Sequence, residues 1–259
     1  MSNNLLIERT GARATVTLNR PDVRNAFDDA LIGALTEAFT ALGADEAVRV
    51  IVLAANGKAF CAGADLTWMR RMADYTHAEN LADATALATM LRTIHECPKP
   101  VIARVQGDVF AGGMGLVAAC DIAASVDTAR FCLSEVKLGL IPATIAPYVI
   151  AAMGARAAQR FFLTAEVFSA QTAAQIGFVH ELSTADELDA RITHFTNALL
   201  SASPAALTAA KHLLREVGGR PISDALVADT AERIADIRAS AEGREGVQSF
   251  LNKQKPSWL

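Results

Sequence analysis

Two runs of aliphatic residues restrict the kinds of fold open to this chain. Val48-Arg-Val-Ile-Val-Leu53 and Val101-Ile-Ala-Arg-Val105 are apolar almost throughout, with no alternation of apolar and polar positions. Strands of that kind must be covered on both faces, which is the condition of a mostly parallel sheet lying between helices. The segments around them fit. Residues 27–42 carry apolar side chains at helical spacing and end at Gly43, and the alanine- and leucine-rich stretch 73–97 stops at Pro98 and Pro100. Ala14-Thr-Val-Thr-Leu18, the segment from Ala123, Ala129-Arg-Phe-Cys-Leu133 and Phe178-Val-His-Glu-Leu182 read as further strands. Strands separated by helices predict an α/β fold with right-handed crossovers.

From Thr184 onward the pattern changes. Residues 186–200, 204–217 and 222–241 have helical spacing and no strong strand remains, so the chain divides into a core over 1–183 and a helical region over 184–259. Alanine-rich apolar helix faces of this kind are expected to be buried against a second copy. Apolar residues make up 52% of the 259, enough for one large core. The net charge of −4 offers no electrostatic footprint for nucleic acid or an anionic membrane. Cys61, Cys97, Cys120 and Cys132 form no C-x-x-C pair, and three of them lie in apolar sequence and read as buried thiols. Met-Ser-Asn-Asn-Leu-Leu-Ile at the start has no basic n-region and long apolar run, and the apolar stretch 141–155 is interrupted by Pro142, Pro147 and Gly154. A cytoplasmic protein without membrane span is the expectation.

Candidate chemistry sits in three segments. Val109-Phe-Ala-Gly-Gly-Met-Gly-Leu116 lies between the strand 101–105 and an expected helix start at Leu116. Bare N–H groups at a helix N-terminus favour negative charge, a phosphate or a developing oxyanion; a close helix–strand contact needs the same small residues. No Gly-Lys-Ser/Thr follows, which weakens the phosphate reading. Upstream, Ala59-Phe-Cys-Ala-Gly-Ala-Asp-Leu66 is a second small-residue turn, with N–H groups of Ala62 and Ala64 expected to be free and Asp65 as a helix N-cap. At the carboxyl ends of parallel strands, Ala64 and the Gly112–Gly113 turn are placed to direct two N–H groups at one oxygen, an oxyanion hole. The five histidines are scattered, and there is no nucleophile elbow and no metal-ligand cluster. Glu135, in apolar surroundings just past a strand, suits a general base; pairing with Lys137 or Arg130 is the other reading.

Taken in order, these segments resemble the crotonase superfamily, the enoyl-CoA hydratase/isomerase family, over nearly the whole chain. Asn19-Arg-Pro-Asp-Val-Arg-Asn-Ala-Phe27 resembles its first CoA-binding loop, Ala62-Gly-Ala-Asp-Leu66 its second, Val105-Gln-Gly-Asp-Val-Phe-Ala-Gly-Gly113 its oxyanion turn, Ser134-Glu-Val-Lys-Leu-Gly-Leu-Ile-Pro142 its catalytic segment and Ser249-Phe-Leu-Asn-Lys-Gln-Lys-Pro256 its tail. The resemblance implies the ClpP/crotonase-like spiral of β–β–α repeats with a C-terminal helical trimerisation region, in a homotrimer or dimer of trimers. It implies an acyl-CoA substrate held by Arg24, Ala26, Ala62, Asp65, Leu66, Phe110 and Gly113, with Lys253 at the phosphate or adenine end across a subunit boundary. Ala64 and Gly112 would supply the oxyanion N–H groups and Glu135 the acid–base group. Metal and redox cofactor are not expected, since coenzyme A is part of the substrate.

There is one departure. Typical hydratases of the family carry two glutamates, and the position of the first is Gly115 here. Asp121 and Glu79 are the candidates to replace it. Ala64-Asp-Leu-Thr-Trp-Met-Arg-Arg-Met72 and Leu140-Ile-Pro-Ala-Thr-Ile-Ala-Pro-Tyr148 resemble a bacterial subgroup assigned to 3-methylglutaconyl-CoA or carboxygeranoyl-type thioesters, in leucine and acyclic terpene breakdown. Such a substrate has a distal carboxylate, for which Arg70, Arg71 and Lys137 are the candidate cations. The expected activity is hydration of a branched or carboxylated 2-enoyl-CoA. A 3-enoyl to 2-enoyl-CoA isomerase using one glutamate, and an acyl-CoA-binding protein without catalysis, are the alternatives.

Overall fold

The computed structural model describes residues 4–259. Met1, Ser2 and Asn3, part of the stretch read above for a leader, lie outside the described residues. The chain opens with an antiparallel pair, β1 (Leu5–Thr10) and β2 (Arg13–Leu18), turned at Gly11. α1 (Asp29–Ala44) follows, capped by Asp28, whose carboxylate accepts from the Leu31 N–H at 2.9 Å. Leu31, Leu35, Phe39 and Leu42 form its buried stripe.

A repeating unit then begins. β3 (Val50–Ala55) and β4 (Ala59–Cys61) are followed by α2 (Leu66–Met72) and α3 (His77–Glu96). β5 (Val101–Val105) and β6 (Asp108–Phe110) lead to α4 (Gly112–Ala119), and β7 (Ile122–Val126) and β8 (Arg130–Cys132) to α5 (Ala146–Thr164). β9 (Phe168–Ser169), α6 (Ala170–Gln175) and β10 (Glu181–Ser183) close the core. The first strand of each repeat joins a six-stranded sheet in the order β1-β2-β3-β5-β7-β10, and the second joins a four-stranded sheet in the order β4-β6-β8-β9. Within the larger sheet every pair after β1–β2 is parallel. All six residues of β3 are buried, as its unbroken apolar run demands. This is the spiral of β–β–α repeats expected from the resemblance.

Several elements differ from the sequence reading. The helix read over 73–97 starts four residues later, at His77, because Thr76 caps α3 in a capping box closed by Glu79. The strand expected over 178–182 is β10, three residues later. The apolar stretch 141–155 enters α5, which is kinked at Gly154 (φ 77°). The strands β4, β6 and β9 are too short to show a period, and β1 lacks a buried face.

α7 (Leu188–Leu200), α8 (Pro204–Val217), α9 (Asp224–Ala239) and α10 (Ala241–Leu251) complete the chain. α8 is tied to the core by Thr208 Oγ1 on the Pro98 carbonyl at 3.0 Å and by Lys211 on Asp121 at 2.6 Å. Asp121 also accepts the Val101 N–H at 2.7 Å, so it is a structural carboxylate. Cys61, Cys97 and Cys132 are buried and Cys120 nearly so; burial pushes the Cys61 thiol up to about 12. No helix among the described residues is long and apolar enough to cross a membrane.

Candidate active site

β4 and β6 are parallel neighbours, so the turns that follow them lie side by side at their carboxyl ends. A side chain at Gly63 (φ +91°) would put its first carbon 2.8 Å from Ala111 Cβ and 3.5 Å from the Gly112 nitrogen. Glycine is required there because two backbones meet.

Ala64 forms a parallel bridge with Phe27: the Phe27 N–H donates to Gly63 O at 2.8 Å and the Asp65 N–H to Phe27 O at 3.0 Å. In such a bridge the N–H of Ala64 itself points to the opposite side. Gly112 is the first residue of α4 and therefore has no carbonyl of its own helix to bond. The helix thus starts at the glycines and not at Leu116. Ala111 before it sits at φ 48°, a left-handed conformation costly for a residue with a Cβ, held by its N–H on Cys132 O at 2.8 Å. Ala64 and Gly112 line one cavity of 680 Å³.

Glu135 lines the same cavity, at the start of a short 3₁₀ turn after β8. Its Oε2 is buried without a hydrogen-bond partner, and burial raises its carboxyl above the ordinary glutamate value. Among the described residues no cation pairs with it. Arg130 binds Asp108 at 2.5 Å and Lys137 is exposed outside the cavity. A buried carboxylate oxygen without a partner needs a ligand or a water to satisfy it.

The other residues singled out above separate into groups. Ala62 lines this cavity and also an adjoining cleft of 490 Å³ that holds Arg24 and Phe110. Its N–H is not free, contrary to expectation, because it donates to Arg24 O at 3.0 Å. Leu66 lines the main cavity and is 70% exposed. Ala26 lines neither space: its carbonyl accepts from Arg20 Nη1 at 2.6 Å and its N–H donates to Val23 O. Gly113 also lines neither; a Cβ there would lie 2.6 Å from Cys61 O, so its role is close packing. Lys253 is exposed past α10 and lines neither space. Asp121 and Glu79 are likewise absent from the cavity, as are Arg70 and Arg71; Arg71 binds Asp29 at 2.6 Å.

Asp65 lies behind the site. Its Oδ1 accepts from the N–H groups of Thr67 and Trp68 at 2.7 and 3.3 Å, and Oδ2 meets Arg20 at 3.0 Å. Burial pulls its carboxyl up, but these bonds outweigh it and hold it below the ordinary aspartate value. Its stabilising contribution is therefore present above the unfolded value and lost as pH falls through the lower folded one. Asp65→Ala is expected to cost about 2 kcal/mol, from the lost cap and one charge-assisted pair, and to lower Tm by roughly 4–8 °C. Asp65→Asn should retain much of this, because its amide oxygen still caps; thermal melts of the two variants check both.

Four groups were missed in the sequence. Lys58 and Arg130 line the cleft with Arg24, beside the carboxylates of Asp22 and Asp108, the second of which pairs with Arg130. Trp68 and Asp83 line the cavity, with Trp68 Nε1 donating to Asp83 Oδ1 at 3.1 Å.

The model of the enoyl-CoA hydratase/isomerase family matches residues 8–259. An enoyl-CoA hydratase of Shewanella pealeana ATCC 700345 is 44% identical, with a TM-score of 0.96 over 98% of this chain and 96% of that one. The 2,3-dehydroadipyl-CoA hydratase of Escherichia coli (strain K12) is 30% identical over 257 residues, 99% of this chain and 98% of its own. The crotonyl-CoA hydratase of Syntrophomonas wolfei is 28% identical over 259 residues, 99% of this chain and 98% of its own. The chain belongs to the enoyl-CoA hydratase/isomerase family. It is an enzyme of the enoyl-CoA hydratase class, a lyase.

Proposed function

We propose that this enzyme adds water to a 2-enoyl-CoA with Glu135 as its single acid–base group and the N–H groups of Ala64 and Gly112 as oxyanion donors. The observation that carries this is that Glu135 Oε2 has no hydrogen-bond partner among the described residues and that Glu135 lines one cavity with Ala64 and Gly112. The thioester oxygen lies between the two donors. Glu135 takes a proton from water, whose oxygen bonds to C3; the electron pair of the double bond moves into the enolate. The enolate then takes a proton at C2 from Glu135, which restores the carboxylate. Each oxyanion donor is worth ~3 kcal/mol of barrier. Hydration changes no oxidation state, so coenzyme A enters only as part of the substrate. Its phosphates suit the cleft of Arg24, Lys58 and Arg130. Lys253 joins from a second copy in a trimer or dimer of trimers.

For the acyl group the proposal is a branched chain with a distal carboxylate, of the 3-methylglutaconyl-CoA type. Arg70 is the cation for it. Arg70 stands one helical turn beyond Leu66 on the same face of α2, and among the described residues it has no ion pair. The dicarboxylic acyl group named for the Escherichia coli relative supports this reading. One observation favours a second reading, an uncharged chain: among the described residues no lysine or arginine lines the cavity wall, which carries Asp83 instead. Arg70→Gln is expected to raise KM for 3-methylglutaconyl-CoA about tenfold and leave 3-methylcrotonyl-CoA, the same branch without the carboxylate, unchanged. Loss of conjugated-thioester absorbance measures both. A wild-type preference for 3-methylcrotonyl-CoA selects the uncharged chain. Conversion of a 3-enoyl-CoA to a 2-enoyl-CoA without uptake of water would replace hydration by isomerisation.

A further inference from the structure

Phe27 touches both proposed oxyanion donors, with different parts of itself. Its backbone forms the bridge to Ala64 described above, at 2.8 and 3.0 Å on either side. Its ring lies under Gly112: a Cβ there would overlap Phe27 Cζ and lie 3.0 Å from Cε2. The side chain is 1% exposed, so the ring has no room to move aside. Behind it the Trp68 indole stands edge-on, with ring centroids 6.3 Å apart and planes at 63°. Trp68 is fixed in turn by its hydrogen bond to Asp83 on α3.

The two donors come from two turns that are far apart in sequence. Contact of Gly63 with Ala111 limits how near those turns approach. It does not limit how far the first turn of α4 sinks towards the core, and the Phe27 ring does. Donors aimed at one oxygen work only within about 0.5 Å and 10–20° of the right geometry.

We infer that Phe27 is a positioning residue that sets the gap between the N–H groups of Ala64 and Gly112, with Trp68, held by Asp83, backing its ring. This rests on the oxyanion reading given under the proposed function. Leucine at 27 keeps the backbone bridge and most of the core volume but lacks the ring tip, whereas methionine reaches further and refills part of that space.

The test uses trans-cinnamoyl-CoA, a conjugated thioester whose absorbance moves to the red when its carbonyl is polarised. Wild type, Phe27→Leu and Phe27→Met are titrated with it, and kcat and KM are measured on the hydrated substrate. The wild type is expected to show a red shift on binding. Phe27→Leu is expected to lose most of it and about tenfold or more in kcat, with Kd for the CoA ester within about threefold. Phe27→Met should recover much of both. A Phe27→Leu enzyme with full red shift and full kcat overturns the inference, and so does a fall in kcat matched by an equal loss of binding. A wild type that binds without any red shift overturns the oxyanion reading itself, and the inference with it.

Discussion

Glu135→Gln is expected to leave the enzyme folded and able to bind CoA thioesters while lowering kcat about 10³-fold or more, the range of a general acid–base group. Glutamine matches the shape of glutamate but neither takes a proton from water nor returns one. Isothermal titration with a saturated acyl-CoA, beside the hydration assay, separates binding from turnover. Retained turnover would remove Glu135 from the mechanism. The pH profile carries the same prediction with a sign. Glu135 acts as a base when ionised, so activity is present above its folded pKa and falls as pH drops through it. Burial raises that pKa, so the acidic limb of kcat/KM should lie above the ordinary glutamate value of about 4.3 and vanish in the glutamine variant.

Restoring the second glutamate is expected to fail. Gly115 is buried, and a Cβ there would overlap Ile145 Cγ2, lie 2.8 Å from Ile145 Cβ and 3.4 Å from Leu91 Cδ2. Ile145 is 2% exposed and lines the cavity beside Glu135. The space of a carboxylate is thus already filled by a branched apolar side chain. Gly115→Glu adds overpacking, about 1–3 kcal/mol, to the several kcal/mol of burying a carboxylate with no partner. The sum approaches the whole stability of a domain. Low soluble yield and a Tm lowered by more than about 10 °C are expected, without any gain in kcat. Trimming the obstacle in Gly115→Glu/Ile145→Ala should recover part of the yield. A soluble, stable Gly115→Glu enzyme with raised kcat would show that the glycine is an accident of sequence and not part of a repacked site.

Both predictions depend on the same distinction between local and distant information. The buried strands were legible because their signal is local: β5 runs over the residues expected, and β3 is displaced by two. Asp65 as a cap was legible for the same reason, its partners being two and three residues away. Glu135 stood out because a carboxyl in an apolar segment is anomalous whatever the fold. The catalytic half of the site was therefore within reach of the letters, and the resemblance ordered it. The binding half was less so. Asp65 and Ala26 were expected to face the CoA ester, yet both use their polar groups inside the protein.

The sequence by itself determined the α/β class and the carboxylate available for chemistry, because each follows from the chemical character of neighbouring residues, whereas the β–β–α repeats were only what the resemblance implied. Only the tertiary structure decided which N–H groups are free. Ala62 and Ala64 read alike in the chain, but the Ala62 N–H donates to Arg24 O, whereas the Phe27 bridge turns the Ala64 N–H away from Phe27. It also decided that Phe27 fits beneath Gly112 and that Ile145 fills the place beside Gly115. A backbone N–H has no letter of its own, and contacts between distant residues leave no local period. Their geometry exists only once the two sheets have brought the turns together.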